Sequence, residues 1–132
     1  MTDLTRNREI VQTFYKNMHR GDMAAFLAAI DENITWINKL SPPIPFGGVF
    51  EGKEATLGYF AKMNEAIRME TFEIESVIAA EDGIFVTGNE TSLVKATGNR
   101  YTMEWIHMVR VQDGKVVYLR EFNDSATMMA AF

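Results

Sequence analysis

Residues 101–124 read Tyr101-Thr-Met-Glu-Trp105-Ile-His107-Met-Val-Arg-Val-Gln-Asp113-Gly114-Lys-Val-Val-Tyr-Leu-Arg-Glu121-Phe-Asn-Asp124. Two runs of β-branched and aromatic residues flank Asp113-Gly114, a dipeptide typical of tight turns between strands. The segment predicts a hairpin, Tyr101–Gln112 against Lys115–Asp124. Its register decides which side chains share a face, because strand side chains alternate with a period of two. A type I turn with Gly114 left-handed as a bulge pairs Val111 with Lys115. Odd-numbered residues then meet odd-numbered residues: Trp105, His107 and Val109 share a face with Leu119, Glu121 and Asn123. In that register Trp105 lies opposite Glu121, and His107 is one diagonal step away. The other face mixes Glu104, Arg110, Arg120 and Asp124 with Ile106, Met108, Tyr118 and Phe122. A two-residue type I′ turn would pair Gln112 with Lys115 and put Glu121 and His107 on opposite faces. The bulged register is preferred because it gathers the aliphatic and aromatic residues on one face and most charges on the other.

Outward from this hairpin, Thr71–Ala80 and Ile84–Lys95 have the same strand character, separated by Asp82-Gly83 and Thr97-Gly98-Asn99. Four antiparallel strands in a meander are expected. The first half of the chain has a different period. Thr5–His19 places Ile10, Val11, Phe14, Tyr15 and Met18 on one helical face and ends at Gly21. Asp22 caps a second helix, Met23–Ile30. Asn33–Asn38 reads as a short strand, followed by the loop Ser41-Pro-Pro-Ile-Pro-Phe-Gly-Gly. Lys53–Ile67 is a third amphipathic helix, and Asp124-Ser125 caps a short last one, Ala126–Ala131. Helices gathered before long strands define an α+β class, with the helices laid over one sheet face.

The chain has 132 residues, a usual size for one domain, so a single domain over 1–132 is expected. No run of about eighteen apolar residues occurs, and Met1–Ile10 is polar and charged where a secretory signal needs an apolar stretch. A soluble protein of the cytoplasm, with no membrane partner, is the expectation. The absence of cysteine excludes disulfides, thiol catalysis and cysteine-ligated metal centres. A net charge of −5, with its basic residues scattered singly, argues against nucleic acid. The two histidines, His19 and His107, recur at no ligand spacing, so no metal is expected, and without a glycine-rich phosphate loop no organic cofactor is expected.

The order of elements resembles the nuclear transport factor two-like superfamily. Trp105–Asp124, together with Phe46-Gly-Gly-Val-Phe-Glu-Gly52, is similar to SnoaL-like and ketosteroid-isomerase-like proteins. The resemblance implies a cone-shaped, cystatin-like fold, its curved antiparallel sheet covered on the concave face by three N-terminal helices. In SnoaL-type polyketide cyclases a histidine on the penultimate strand and an acid on the last act in the pocket. The matching positions are His107 and Glu121, with Glu in place of Asp. The acid that ketosteroid isomerases carry on the first strand is missing from Trp36-Ile37-Asn38. That tripeptide is instead similar to the aromatic-x-Asn pair with which limonene epoxide hydrolases position water.

The expected activity is acid–base chemistry, of isomerase, cyclase or lyase type, on a small apolar carbonyl compound. Glu121 is the expected general base or acid, its pKa raised by burial unless a cation pairs with it. His107 is its donor or proton partner, and Asn38 an orienter. Phe14, Tyr15, Trp36, Tyr59, Met63 and Trp105 are expected walls of a pocket for an apolar or aromatic ligand, with Asn123 as a polar contact. The alternatives are a non-catalytic ligand-binding module on the same fold and, less favoured, water activation. Glu90 is left unassigned. The mixed outer face predicts a homodimer.

Overall fold

The computed structural model describes residues 3–132, so Met1 and Thr2 of the expected 1–132 domain lie outside it. The chain runs α1 (Leu4–His19), α2 (Met23–Ala28), β1 (Ile30–Asn38), β2 (Gly48–Glu51), α3 (Lys53–Ala66), β3 (Ile67–Ala80), β4 (Gly83–Val94), β5 (Arg100–Gln112), β6 (Lys115–Asn123) and α4 (Ser125–Ala131). Each of the three short-linked helices starts at a polar cap. Asp3 accepts from the amide of Arg6, Asp22 from Ala25 and Asp124 from Thr127, satisfying donors that the first helical turn leaves free. One six-stranded sheet, ordered β2-β1-β6-β5-β4-β3, carries the helices on its inner face.

The sheet is mixed, where an all-antiparallel one was expected. The meander β3 to β6 is antiparallel, but β1 joins β6 in parallel, with Asn38 level with Glu121. The amide of Val116 donates to the carbonyl of Ala29 at 2.8 Å, so β6 draws Ile30 into the sheet. This ends α2 at Ala28 rather than at the expected Ile30. The four-residue β2 follows the expected loop, in a stretch to which the sequence assigned no element; it pairs with β1 at the sheet edge. Strand β3 starts at Ile67, immediately after α3, and is bulged at Glu70 and Glu75.

The β5–β6 hairpin corrects the expected turn. Asp113 (φ 51°) and Gly114 (φ 79°) are both left-handed, as a type I′ turn requires, and Gln112 pairs with Lys115. Two residues later Val117 is inserted as a bulge: Val111 pairs with Val116, but Arg110 pairs with Tyr118. Val116 and Leu119 are both 0% exposed. A regular strand would put residues three apart on opposite faces, so the inserted residue is what lets both reach the core, a gain of about 1.5–3 kcal/mol per side chain. The bulge also restores odd-to-odd pairing, two residues away from the expected register. His107 is therefore directly opposite Glu121, and Trp105 opposite Asn123.

The inner face of β4 is read from its burial, in which Ile84, Val86, Gly88, Glu90, Ser92 and Val94 alternate inward. Gly88 pairs with Trp105, whose indole occupies the space a side chain there would need. A Cβ there would stand 2.4 Å from Trp105 Cζ2 and 2.1 Å from the carbonyl oxygen of Glu73. Backbone cannot yield as a flexible side chain can. We expect Gly88→Ala to destabilise the protein by about 3 kcal/mol, the upper part of the overpacking range. Urea unfolding checks it, and an unchanged midpoint would refute the close approach.

Candidate functional site

One row of residues crosses the inner sheet face at the same height: Val86 on β4, His107 on β5, Glu121 on β6 and Asn38 on β1. The helices close over this row. Tyr15 comes from α1, and Tyr59 from α3, whose buried face carries Thr56 and Tyr59.

Glu121, with its side chain 12% exposed, is the hub. Its Oε2 accepts from Trp36 Nε1 at 2.8 Å and from the Tyr59 hydroxyl at 2.5 Å. Its Oε1 lies 3.5 Å from His107 Nε2 and accepts from Asn123 Nδ2 at 3.4 Å. The imidazole contact has ion-pair separation and is weaker than the two short bonds to Oε2. His107 Nδ1 is 2.7 Å from the Tyr15 hydroxyl. A carboxylate only accepts, so the neutral imidazole carries its hydrogen on Nε2 and takes the Tyr15 proton donor at Nδ1. Asn38 donates to the Tyr59 hydroxyl at 2.9 Å and accepts from Asn123 at 3.1 Å. It thus orients Tyr59 and Asn123, with its amide engaged by protein groups.

Burial pushes the Glu121 carboxyl up, but the adjoining imidazole and the donors on Tyr59 and Trp36 outweigh it, and the net is below the usual glutamate value. The expected upward shift is therefore reversed by the pairing that the expectation had excepted. Glu121 stays ionised at neutral pH, a fixed anion facing the His107 ring. Desolvation, added to by the charge of Glu121, raises both Tyr15 and Tyr59, so their hydroxyls remain protonated donors.

The remaining expected residues divide into two groups. Trp105 stacks on His107 at 4.1 Å and on Phe72 at 4.6 Å, and its Nε1 is buried without a partner. Trp36 and Tyr59 lie 6.0 Å apart. These rings pack on the polar groups they were expected to enclose. Phe14 stacks on Phe26 of α2 at 4.4 Å and meets Tyr15 edge-on, which places it in the helix–helix core behind the site. Met63 is half-buried against that core. A groove of about 810 Å³ between α1 and β3 reaches the site at Tyr15 and Phe72, and Glu121 is not among its lining residues.

Glu90, left unassigned by the sequence because the Ala96–Arg100 loop leaves its register open, is a second buried carboxyl. Glu90 Oε2 accepts from Ser92 Oγ at 2.9 Å and from the Tyr101 hydroxyl at 2.8 Å. Alternation within β4 was a usable signal, since Glu90 falls on the parity of Ile84, Val86 and Val94. Burial raises its pKa against these two hydroxyls and the weaker pull of His107, with Glu121 repelling it. Among the described residues, no three His, Asp or Glu side chains gather as a metal site, and no helix is long and apolar enough to cross a membrane.

The structure's likeness to solved structures spans nearly the whole chain. An NTF2-like protein from Burkholderia xenovorans is 27% identical, with 99% of this chain and 98% of that one covered at a TM-score of 0.83. A candidate isomerase from Bacillus subtilis matches at 22% identity, 100% and 96% coverage and a TM-score of 0.79. A SnoaL-like polyketide cyclase candidate from Mesorhizobium loti matches at 23% identity, 86% and 96% coverage and 0.73. These define an NTF2-like cone. The SnoaL-like domain model matches residues 11–119, and the chain belongs to that family. No curated protein matches it significantly.

The two carboxyls predict opposite pH effects. A lowered folded pKa gives stability that is complete above the ordinary glutamate range and lost as pH falls through the folded value. A raised one gives stability complete below that range and lost as pH rises through the folded value. Glu121→Gln should therefore lower Tm at pH 7, with the gap to wild type narrowing toward about pH 3. Glu90→Gln should raise Tm at pH 7 and converge with wild type below about pH 4. Thermal unfolding across that range checks both signs.

Proposed function

We propose that the protein performs acid–base chemistry, of isomerase, cyclase or lyase type, on a small and mainly apolar carbonyl compound without an organic cofactor. The observation that carries this reading is the buried chain Tyr15–His107–Glu121, with contacts of 2.7 and 3.5 Å. Its groups act in one direction. The Tyr15 oxygen takes a proton from the carbon beside the ligand's carbonyl, while the Tyr15 proton passes to His107 Nδ1. The C–H bond breaks, leaving an enolate, and the imidazolium formed is held by Glu121. Return of that proton to a different atom of the ligand completes an isomerisation or drives an elimination. His107 is thus the proton store and Glu121 its counter-charge, a change from Glu121 as the exchanging group. Asn38 and Asn123 fix Tyr59 and the carboxylate.

The neighbours named as candidate isomerase and polyketide cyclase support this class of chemistry by fold alone. Water activation is not favoured, since Trp36 Nε1 and the Asn38 amide are already engaged. Solvent-deuterium incorporation beside the carbonyl, measured over a panel of cyclic enones and aryl ketones, tests the proposal. We expect Glu121→Gln and His107→Asn each to reduce exchange by about 100-fold or more while ligand binding persists. Nitrogen-15 NMR should find the neutral His107 ring protonated on Nε2. Retained exchange in Glu121→Gln, or the opposite tautomer, would sink the relay. Ligand binding without exchange in the wild type would make the chain a non-catalytic binding module.

A homodimer through the outer sheet face, in the cytoplasm, belongs to the same proposal. Ile106 and Phe122 are 46% and 50% exposed there, and Arg110 and Arg120 cover the rings of Tyr118 and Phe122 at 4.5 and 4.9 Å. Apolar area of this kind is usually covered by a partner. Sedimentation equilibrium should give a dimer at micromolar concentration and a monomer for the Ile106→Glu, Phe122→Glu double variant. A monomeric wild type would contradict it.

A further inference from the structure

The groove between α1 and β3 has three features that the relay does not use. Its α1 wall is a single helical stripe, Arg8, Gln12, Tyr15, Lys16 and His19, spaced so that they line one side of the helix. Arg20 continues it, and its guanidinium donates to Asn17 Oδ1 at 2.5 Å. None of Arg8, Lys16 and Arg20 is among the described ion pairs with a carboxylate. Lys16 and His19 sit in the last turn of α1, where cations complement the helix dipole. Arg8 lies near the other end, where the dipole offers it no such reason.

The second feature is the opposite rim, where Glu73 and Glu75 stand on β3. An anion entering the groove is drawn to the α1 wall and repelled from the β3 rim, so the groove fixes which way it lies. The third is the floor. Tyr15 and Phe72 face the groove with their rings 13° apart and centroids 6.4 Å apart. Trp105 continues the same orientation, 15° from Phe72 and 20° from Tyr15. A flat ring entering from the groove extends this stack, whereas a bulky saturated one cannot lie along it.

We propose that the groove binds a planar, conjugated acid, its ring laid on Tyr15 and Phe72 and its anionic group drawn to the cationic α1 wall that Arg8, Lys16 and Arg20 form. This deepens the proposed function, and rests on it, by naming the substrate class that the outer member of the relay, Tyr15, would meet. The negative chain then recruits a negative ligand through one local cationic wall.

Two fluorescent dyes of the same ring system test it: 8-anilinonaphthalene-1-sulfonate, which is anionic, and N-phenyl-1-naphthylamine, which is neutral. Arg8 and Lys16 are exposed, so the Arg8→Glu, Lys16→Glu double variant should fold, as circular dichroism will verify. We expect it to weaken the sulfonate by about tenfold and the neutral dye by less than about twofold. Raising salt from about 0.02 to about 0.3 M should weaken the sulfonate in wild type and leave the neutral dye unchanged. Val77→Trp, which fills the groove, should block both. Equal effects of the charge reversal on both dyes, or sulfonate binding that survives it or survives Val77→Trp, would overturn the proposal. The readout is binding alone. Dye binding as expected with no deuterium exchange leaves the groove standing and removes the relay; exchange with groove-independent dye binding does the reverse.

Discussion

The insertion of Val117 in β6 is the constraint on which the site depends. Val116 and Leu119 both have to be buried, and a regular strand would bury only one of them. The tight turn at Asp113-Gly114 fixes one parity at the hairpin end, and the bulge exchanges it for the other two residues later. Everything beyond that point follows: Glu121 opposite His107, Asn123 opposite Trp105, and Glu121 level with Asn38 through the parallel pairing of β1. Core packing thus sets the geometry of the polar row as a by-product of satisfying two aliphatic side chains.

Two glutamates on the same inner face differ because of their partners. Glu121 is surrounded by an imidazole, a phenol, an indole and an amide, and remains a carboxylate. Glu90 has only two hydroxyls, and burial raises its pKa. Desolvation opposes charge at both sites; the set of facing donors decides which one keeps it. The consequence for chemistry is a division of labour, with a fixed anion beneath His107 and tyrosine hydroxyls that stay protonated above it.

The interior is also more filled than the sequence led one to expect. Trp36, Tyr59 and Trp105 pack directly on the polar groups, and the open volume lies to one side, between α1 and the edge strand β3. Tyr15 is the residue common to both, buried yet lining the groove. Edge strand β3 carries two bulges, and bulges are over-represented at sheet edges and beside sites.

The sequence by itself determined the α+β class, the caps Asp22 and Asp124, and the four long strands. Those rest on periods of 3.6 and two and on local turn chemistry, which are legible over short windows. It did not determine the parallel seat of β1 or the end of α2, because these depend on partners about eighty residues away along the chain, nor the existence of β2, a four-residue strand that exists only by pairing with β1 at the sheet edge. It named His107 and Glu121 through a turn that the structure does not form, and the register came out two residues away. Asp-Gly suits two turns equally; only the burial of Val116 and Leu119 against the rest of the core chose between them and added the bulge that restored the pair. The direction of the Glu121 shift was likewise tertiary, since it is set by His107, Tyr59 and Trp36, which three different elements bring to one carboxyl group.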